Sequence, residues 1–326
     1  MQIENLLDDR INEQLEQVKQ NMEKKLSHGD VYLNDSLNHV KLAKGKMLRP
    51  LLLLIGTSFG RYSKKKQSSY VELATAVETL HMATLIHDDV IDEAKLRRGQ
   101  ESIQSKYSKS YAVYMGDFLL SQSFLMIANL DVDKEVGIRL AKAINQICIG
   151  EMKQHKWRYD TAVIPMNYLR IVSGKTAALF TVSLSSGALQ AKVPNDTIKI
   201  LGRIGYYIGM AFQLIDDLLD YVGDEDTVGK DLKSDLIKGY YSLPVIFALN
   251  SEFGYDIKEL LNNGITGEEE VDQVIALVKK SGGIQRTEEM ASRYTKKAMG
   301  LVMLLPNGKG KQTLKKLIPL LLERVY

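Results

Sequence analysis

Three carboxylates stand together in the stretch LIHDDVIDEAKLRRG, residues 85–99. Asp88 and Asp92 are four residues apart and Asp89 and Asp92 are three apart, so on a helix all three can share one face. Carboxylates this close repel one another by about 1 kcal/mol per pair in water. A hard divalent cation relieves the repulsion, and Mg²⁺ prefers a few carboxylates together with phosphate oxygens and water. The cluster therefore predicts a Mg²⁺-diphosphate site, although a solvated helix end could carry the same residues.

The same spacing recurs in the stretch GMAFQLIDDLLDYVGDED, where Asp216, Asp217 and Asp220 again follow an apolar helical run. One DDxxD pattern is a common accident, but two that each end an apolar helix are not. If the two helices face each other, six carboxylates surround the mouth of one cavity, and several Mg²⁺ ions can hold a diphosphate there. The apolar faces of the helices would then line a pocket for a hydrocarbon tail.

Length and composition point to one large helical domain. The 326 residues are 45% hydrophobic, and period-2 alternation is almost absent from the chain. Apolar residues recur instead at the helical period, in segments of roughly 15–25 residues separated by short breaks. We expect an all-α fold and a single domain over residues 1–326. The net charge of +3 is too small to indicate nucleic acid as a partner.

The sequence also indicates a reducing compartment. Cys148 is the single cysteine, which excludes an internal disulfide, and it lies in the apolar run AINQICIGEM, so we expect a buried thiol. The first twenty residues contain neither a basic segment nor an apolar run of the kind that signal peptides have. The apolar run MLRPLLLLIG is too short to span a bilayer. We therefore expect a cytoplasmic protein without stable membrane insertion.

Ordered motifs accompany the two acidic clusters over nearly the whole chain. They are GKMLRP (45–50), VETLH (77–81), LRRG (96–99), GDFLL (116–120), GEMKQ (150–154), GKTAALF (174–180), FQLIDD (212–217) and GKDLKSDL (229–236). As a set they are specific, and the chain resembles the trans-isoprenyl diphosphate synthases of the polyprenyl synthetase family. The resemblance implies the isoprenoid synthase fold, an antiparallel helical bundle around a central cavity. It also implies a prenyltransferase that joins isopentenyl diphosphate to an allylic diphosphate primer and releases pyrophosphate.

The resemblance assigns roles to individual residues. It implies that the six aspartates hold Mg²⁺, with three ions per active site. It implies that isopentenyl diphosphate is bound by Lys46, Arg49, His81 and Arg98. It implies that the allylic diphosphate is bound by Arg97, Lys175 and Lys230 together with the ions. Lys175, Thr176 and Gln213 are the expected catalytic residues, and Thr176 and Gln213 would stabilise the allylic cation through their dipoles.

Basic residues suit these roles on physical grounds, because the planar fork of arginine binds two phosphate oxygens at once. Lys46 and Arg49 are three residues apart, so we expect them on one helix face. Taken singly, each has an ordinary explanation. His81 could be a core histidine, and Lys46 and Arg49 could be surface charges at a helix start, where Pro50 is at home. The roles depend on the whole set of motifs.

Product length in this family depends on residues one and two turns before the first acidic motif, where a bulky aromatic residue stops chain growth. Those positions hold Leu80, Ala83 and Thr84, and none is aromatic. We therefore expect a long-chain all-trans product of about C30 to C40. A C20 product is the alternative, because residues on other helices can also close the pocket, and small residues here could simply serve helix packing.

The segment GKDLKSDLIKGYYSLP departs from the family pattern. Asp231 stands where proline is common, Lys233 where glycine is common, and Tyr240 where a second lysine often lies. Lys238 could compensate for the missing lysine. The departures place the role of Lys230 in question, but both acidic motifs are intact, so the expected reaction is unchanged.

Three other functions share parts of this pattern. A terpene cyclase uses a similar acidic motif but needs no isopentenyl diphosphate site, which GKMLRP and His81 argue against. A regulatory subunit is expected to have lost acidic residues, and this chain has lost none. A catalytic subunit that needs a small accessory partner stays open. The family implies a homodimer, and the apolar segment QSFLMIANL suits a subunit contact.

Overall fold

The computed structural model describes residues 7–42, 45–61, 63–222, 235–262 and 267–322. Helices dominate this part of the chain, as the periodicity predicts. The first group is α1 (Asp9–Lys25), α2 (Val31–Leu42), α3 (Leu48–Thr57), α4 (Gln67–Ile91), α5 (Ile103–Lys106), α6 (Lys109–Ala128) and α7 (Lys134–Lys156). The second group is α8 (Pro165–Val172), α9 (Ala178–Gln190), α10 (Asn195–Val222), α11 (Leu243–Ala248), α12 (Gly254–Asn262), α13 (Glu268–Lys280), α14 (Gly283–Met303) and α15 (Lys309–Leu322).

Three short elements interrupt the helices. A 3₁₀ turn at Lys64–Lys66 precedes α4, and a π-helical turn at Ser173–Ala177 joins α8 to α9. Two antiparallel strands, β1 (Leu96–Arg97) and β2 (Gln100–Glu101), form a minimal hairpin that begins with the LRRG motif. This hairpin is the departure from a purely helical prediction in the described residues.

Contacts divide the chain into two compact units. Unit 1 comprises residues 1–138, 183–198 and 308–310, and unit 2 comprises residues 139–182, 199–307 and 311–326. The prediction of a single domain over residues 1–326 stays a prediction. In the described part of the chain, no helix is both long and apolar enough to cross a membrane.

Helix α4 is the core element of unit 1. It packs against α1, α3 and α6, and nearly every residue from Tyr70 to Leu80 is buried. The amphipathic α1 shows how the sequence sets such elements. Its side chains Ile11, Leu15 and Val18 are buried at helical spacing, and Asp8 caps its first turn by accepting a hydrogen bond from the N–H of Ile11 at 3.0 Å.

Unit 2 has two apolar clusters. The larger one joins Tyr221 at the end of α10 to Leu236, Tyr241 and side chains of α11, α12 and α13. The smaller one consists of Val172, Ala177 and Met210, with Tyr168 and Tyr206 packed against it. The smaller cluster lies beside the second acidic motif because Met210 is on the same helix, α10, as that motif.

One part of the sequence reading is wrong here. Cys148 is exposed rather than buried. Its neighbours Ile147 and Gly150 are the buried positions of this turn of α7, so the cysteine lies on the other face of the helix. A short apolar stretch such as AINQICIGEM does not by itself say which face of a helix is covered.

Close backbone approach in unit 1 depends on glycine. A Cβ atom on Gly187 of α9 would lie 1.9 Å from the carbonyl oxygen of Leu53 in α3. Nothing lies within 4 Å of the Cβ position of Gly300, inside α14. We predict that Gly187→Ala lowers the free energy of unfolding by about 2 kcal/mol or more, because the two backbones must separate.

The matched control is Gly300→Ala, which should be neutral or stabilising by about 1 kcal/mol because alanine favours the helix. Urea unfolding of both variants measures the difference. Equal stability of the two variants would contradict a close approach of α3 and α9.

Candidate active site

The first acidic motif lies at the end of α4. Asp88 and Asp89 are in its last turn, and Asp92 follows it with helical dihedral angles, its N–H donating to the carbonyl of Asp88 at 2.8 Å. The predicted i, i+4 arrangement of Asp88 and Asp92 is therefore present. Asp89 is 5% exposed, whereas Asp88 and Asp92 are partly exposed. The three carboxylates thus differ in their access to solvent.

The hairpin after α4 brings Arg97 back onto the motif. Its turn residues Arg98 and Gly99 have φ values of 51° and 79°, the pattern of a type I′ turn that glycine makes possible at the second position. Arg97 donates to Asp89 Oδ1 through Nε at 2.8 Å and also through Nη2. Burial raises the pKa of the Asp89 carboxyl, and the Arg97 guanidinium opposes that rise. The observed partner of Arg97 is therefore an acid of the motif.

Gln104 of α5 ties this arrangement together. Its Nε2 donates to the carbonyl of Asp89 at 2.7 Å and to the carbonyl of Ala94 at 2.8 Å. These carbonyls belong to the end of α4 and the start of the hairpin. These two hydrogen bonds fix the start of the hairpin, which carries Arg97, to the end of α4, which carries the acids.

Three of the four residues expected to bind isopentenyl diphosphate share one electrostatic environment. His81 is 7% exposed, and burial holds the pKa of its ring well below the usual value, with the positive charges of Arg49 and Arg98 lowering it further. His81 is therefore neutral at pH 7, so it offers a hydrogen bond rather than a charge. The Arg98 guanidinium lies against Gly45, where a Cβ atom would be 2.7 Å from its Nη1.

Lys46 is placed differently from the prediction. Helix α3 begins at Leu48, and the residue before it, Met47, has a left-handed φ of 52°. Lys46 therefore precedes the helix and is exposed, while Arg49 lies within its first turn. The expectation that Lys46 and Arg49 share a helix face is wrong, because helical spacing does not apply across the left-handed residue. Pro50 does lie in the first turn, as expected.

A cavity of about 300 Å³ opens beside these residues in unit 1. Its apolar wall includes Met22, Met82 and Ile86, and its polar wall includes Arg97, Arg98 and Glu78. Glu78 is 6% exposed, and burial raises the pKa of its carboxyl against the attraction of Arg49 and Arg98. The cavity thus combines apolar side chains with a polar lining that contains both basic and acidic residues.

The second acidic motif lies in the last two turns of α10. Asp217 is 6% exposed, and its carboxyl accepts hydrogen bonds from the Tyr168 hydroxyl and, at 3.1 Å, from Gln213 Nε2. Burial raises the pKa of Asp217 to about 7, although both hydrogen bonds lower it. Thr176 donates in turn to Gln213 Oε1 at 2.8 Å. The predicted residues Thr176, Gln213 and Asp217 therefore form one hydrogen-bonded chain.

Lys175 lies in the π-helical turn, a distortion that is frequent at functional sites. Its Nζ is 3.0 Å from Glu151 Oε1 and donates to Gln154 Oε1 at 3.0 Å. Both partners come from the GEMKQ motif on α7. Lys230, which we expected to assist Lys175, lies outside the described residues.

The donor set fits a divalent cation that shares its ligands with a bound anion. Among the described residues, no three His, Cys, Asp or Glu side chains come together closely enough to hold a metal by themselves. Carboxylate oxygens are nevertheless the ligands that Mg²⁺ prefers, and Mg²⁺ normally completes its shell with phosphate oxygens and water. Asp88 with Asp92, and Asp216 with Asp220, are the partly exposed pairs that could supply such oxygens.

Comparison with known proteins decides the family. The polyprenyl synthetase family model matches residues 30–279. The chain belongs to the polyprenyl synthetase family. A heptaprenyl diphosphate synthase component 2 from Geobacillus stearothermophilus is 35% identical over 322 residues, which cover 97% of each chain.

Solved structures agree over the whole chain. A geranylgeranyl pyrophosphate synthase from Lactobacillus brevis ATCC 367 has a TM-score of 0.92 and 32% identity, covering 97% of this chain and 98% of that one. A polyprenyl synthase from Caulobacter crescentus CB15, solved with calcium and isoprenyl diphosphate, has a TM-score of 0.89 and 28% identity, covering 97% of each chain. The predicted all-α isoprenoid synthase fold is thereby confirmed.

Membership of the polyprenyl synthetase family directs attention to four side chains that sequence reasoning missed. Glu78 stands inside VETLH, and Glu151 and Gln154 stand inside GEMKQ, so the motifs that contain them were the available signal. Tyr168 stands in no motif, and nothing in the sequence of α8 links it to Asp217, which is 49 residues later. Only the tertiary structure shows that contact.

The Tyr168 hydroxyl can be tested by removing it. We predict that Tyr168→Phe lowers the free energy of unfolding by about 1–3 kcal/mol, because the buried Asp217 carboxyl loses a hydrogen bond. Tyr206→Phe is the control, since that ring packs on the same apolar cluster. Chemical denaturation at pH 7 measures both. If the two variants were equally stable, the hydrogen bond to Asp217 would contribute nothing.

Proposed function

We propose that this chain is a trans-prenyltransferase that condenses isopentenyl diphosphate with an allylic diphosphate and makes a long-chain all-trans polyprenyl diphosphate. The observation that carries the proposal is the pair of acidic motifs at two helix ends, with Arg49, His81 and Arg98 grouped near the first. The name of the Geobacillus stearothermophilus relative supports it. A divalent cation is the cofactor, and we propose Mg²⁺, with three ions per active site.

The reaction needs separate sites for its two diphosphates. We assign isopentenyl diphosphate to Lys46, Arg49, His81 and Arg98, where arginine forks and a neutral imidazole donate hydrogen bonds to phosphate oxygens. We assign the allylic diphosphate to the six aspartates through their cations, and to Arg97, Lys175 and Lys230, as the resemblance to the family implies. Bound divalent ions would neutralise the diphosphate and stabilise it as a leaving group.

The bond changes then follow. The allylic carbon–oxygen bond breaks and pyrophosphate leaves with the electron pair. The double bond of isopentenyl diphosphate attacks the allylic cation, and the departing pyrophosphate accepts the proton lost from the new chain. We assign the stabilisation of the allylic cation to Thr176 and Gln213, which are linked at 2.8 Å and carry dipoles but no strong nucleophile that would trap the cation.

Chain length is assigned to α4. Leu80 and Ala83 are buried, and the Thr84 hydroxyl donates to the carbonyl of His81 at 2.8 Å, so all three present small or aliphatic surface. None of the three is an aromatic residue that would end growth. This supports a product of about C30 to C40, as does the heptaprenyl relative. The similarity to the geranylgeranyl pyrophosphate synthase from Lactobacillus brevis favours C20 as the second candidate.

The first test is the product. Purified protein with Mg²⁺, labelled isopentenyl diphosphate and a farnesyl primer should yield dephosphorylated products of about C30 to C40. Asp88→Ala and Asp216→Ala should each lower turnover by about 100-fold or more, because the cations that stabilise the leaving group lose a ligand. Unchanged turnover in both variants would disprove the assignment. A cyclic hydrocarbon formed without isopentenyl diphosphate would instead identify a terpene cyclase.

The pocket floor can be tested with one position. We predict that Thr84→Phe shortens the main product to C20 or less, because a ring then projects where the growing chain passes. Thr84→Val is the control, since it removes the hydroxyl at nearly constant volume and should leave the product unchanged. Chromatography of the dephosphorylated products measures both. A product of unchanged length from Thr84→Phe would place the floor on another helix.

We propose a homodimer as the working assembly. The alternative is a small accessory component, because the relative from Geobacillus stearothermophilus is component 2 of a heptaprenyl diphosphate synthase. Helix α6 supports a subunit contact because Tyr114, Phe124 and Leu125 on it are exposed large side chains. Activity of the chain alone would favour the homodimer. We place the enzyme in the cytoplasm on the basis of its sequence.

A further inference from the structure

Arg158, which none of the motifs contains, makes several contacts just after the end of α7. Its Nε donates to the carbonyl oxygen of Lys238 at 2.5 Å, and its Nη2 donates to the Tyr159 hydroxyl at 3.1 Å. Lys238 is 80 residues later in the chain. The guanidinium therefore joins the end of one helix to a distant turn of unit 2.

Two aromatic rings accompany the same guanidinium. Its central carbon is 4.9 Å from the centroid of the Tyr159 ring and 5.3 Å from that of Tyr240. Both distances lie within the range of cation–π attraction, for which arginine is well suited. Arg158 thus contacts the turn at two places, the backbone of Lys238 and the ring of Tyr240.

The backbone between these places is also fixed. The N–H of Tyr159 donates to the carbonyl of Gly239 at 2.9 Å. Gly239 has a φ of 74°, and a Cβ atom there would lie 2.3 Å from the Tyr159 ring. Glycine is therefore required for both the backbone angle and the close approach. We call the contacts of Arg158 and Tyr159 with Lys238, Gly239 and Tyr240 the arginine clamp.

Contacts link the clamped turn to the residues around the second acidic motif. The N–H of Tyr240 donates to the carbonyl of Asp235 at 2.8 Å, which closes the turn. The negative charge of Asp235 acts on the Asp217 carboxyl and raises its pKa. On the other side of the turn, Ser242 Oγ is 3.2 Å from the hydroxyl of Tyr221, one residue after Asp220. Moving this turn would therefore change the surroundings of the acids.

We propose that Arg158 is a positioning residue for the second acidic motif, acting through the turn that ends in Tyr240. The proposal rests on the proposed function, because the motif is assigned there to the cations of the allylic diphosphate. It also accounts for a departure from the family pattern. Tyr240 occupies a position where lysine is common, and here its ring stacks on Arg158, so the turn keeps a neighbouring cation without a lysine side chain.

Variants of Arg158 separate this role from general stability. Arg158→Ala should raise the KM for the allylic primer and the Mg²⁺ concentration for half-maximal rate by about fivefold or more, because the second motif is no longer held. The KM for isopentenyl diphosphate, whose site lies on other elements, should stay within about twofold. Arg158→Lys keeps the charge and one donor, so it should recover part of the loss.

Lys156→Ala is the matched control. Lys156 is the last residue of α7, two residues before Arg158. Its Nζ lies 5.1 Å from the Trp157 ring centroid, outside the arginine clamp. Its removal should leave all three constants unchanged. Tyr240→Ala should reproduce the effect of Arg158→Ala, and the double variant should add little to either, since the two side chains act as a unit.

Distinct results would overturn the proposal. The proposal is wrong if Arg158→Ala leaves the constants unchanged. It is also wrong if both KM values change in parallel with a loss of thermal stability, because Arg158 would then only stabilise the fold. If Arg158→Ala does not fold, Arg158→Lys and Tyr240→Ala decide the question by the same separation of KM values. An inactive wild-type protein that binds neither diphosphate would refute the proposed function instead, so the two failures are distinguishable.

Discussion

The charge placement at two helix ends is the constraint on which the rest of the site depends. Both acidic motifs lie at the C-terminal ends of helices, α4 and α10, where the helix dipole already concentrates partial negative charge. Carboxylates repel each other at this spacing and are unfavourable at this pole. A chain would keep six of them there only if other groups, or a bound cation, compensate. Much of the surrounding structure can be understood as that compensation.

The two units compensate their buried acids in different ways. Asp89 is paired with the positively charged guanidinium of Arg97. The hairpin of β1 and β2 brings Arg97 back to the end of α4. Asp217 receives neutral donors, Tyr168 and Gln213, and its raised pKa shows that burial outweighs them. The outer acids of each motif are partly exposed and so stay accessible to a ligand. The middle acid of each motif therefore has partners inside the protein, while the outer acids are the ones that we propose to bind cations.

The sequence predicts those features of the fold and the site that follow from local patterns in the chain. Helical periodicity predicts the helices, and DDxxD spacing predicts which acids share a turn, because both depend on a regular backbone. The prediction for Lys46 is wrong because one left-handed residue, Met47, ends the regular geometry before the helix begins. The prediction for Cys148 is wrong because a short apolar run does not identify the covered face. Tyr168 lies 49 residues from Asp217, and Arg158 lies 80 residues from Lys238, and no local pattern encodes such contacts.

A long-range contact also bears on one departure from the family pattern, Tyr240, whereas Asp231 and Lys233 lie outside the described residues. A lysine that contributes only a point charge can be replaced by any arrangement that leaves a cation at the same turn. Here Tyr240 removes an ammonium group but supplies a ring for Arg158, and Arg158 adds a hydrogen bond to the backbone that a lysine at position 240 would not make. Compared with a lysine side chain at position 240, the guanidinium of Arg158 is held in place by its contacts with the turn. Tyr240, although unusual for the family, thus leaves a cation beside this turn, because Arg158 supplies the charge from the segment just after α7.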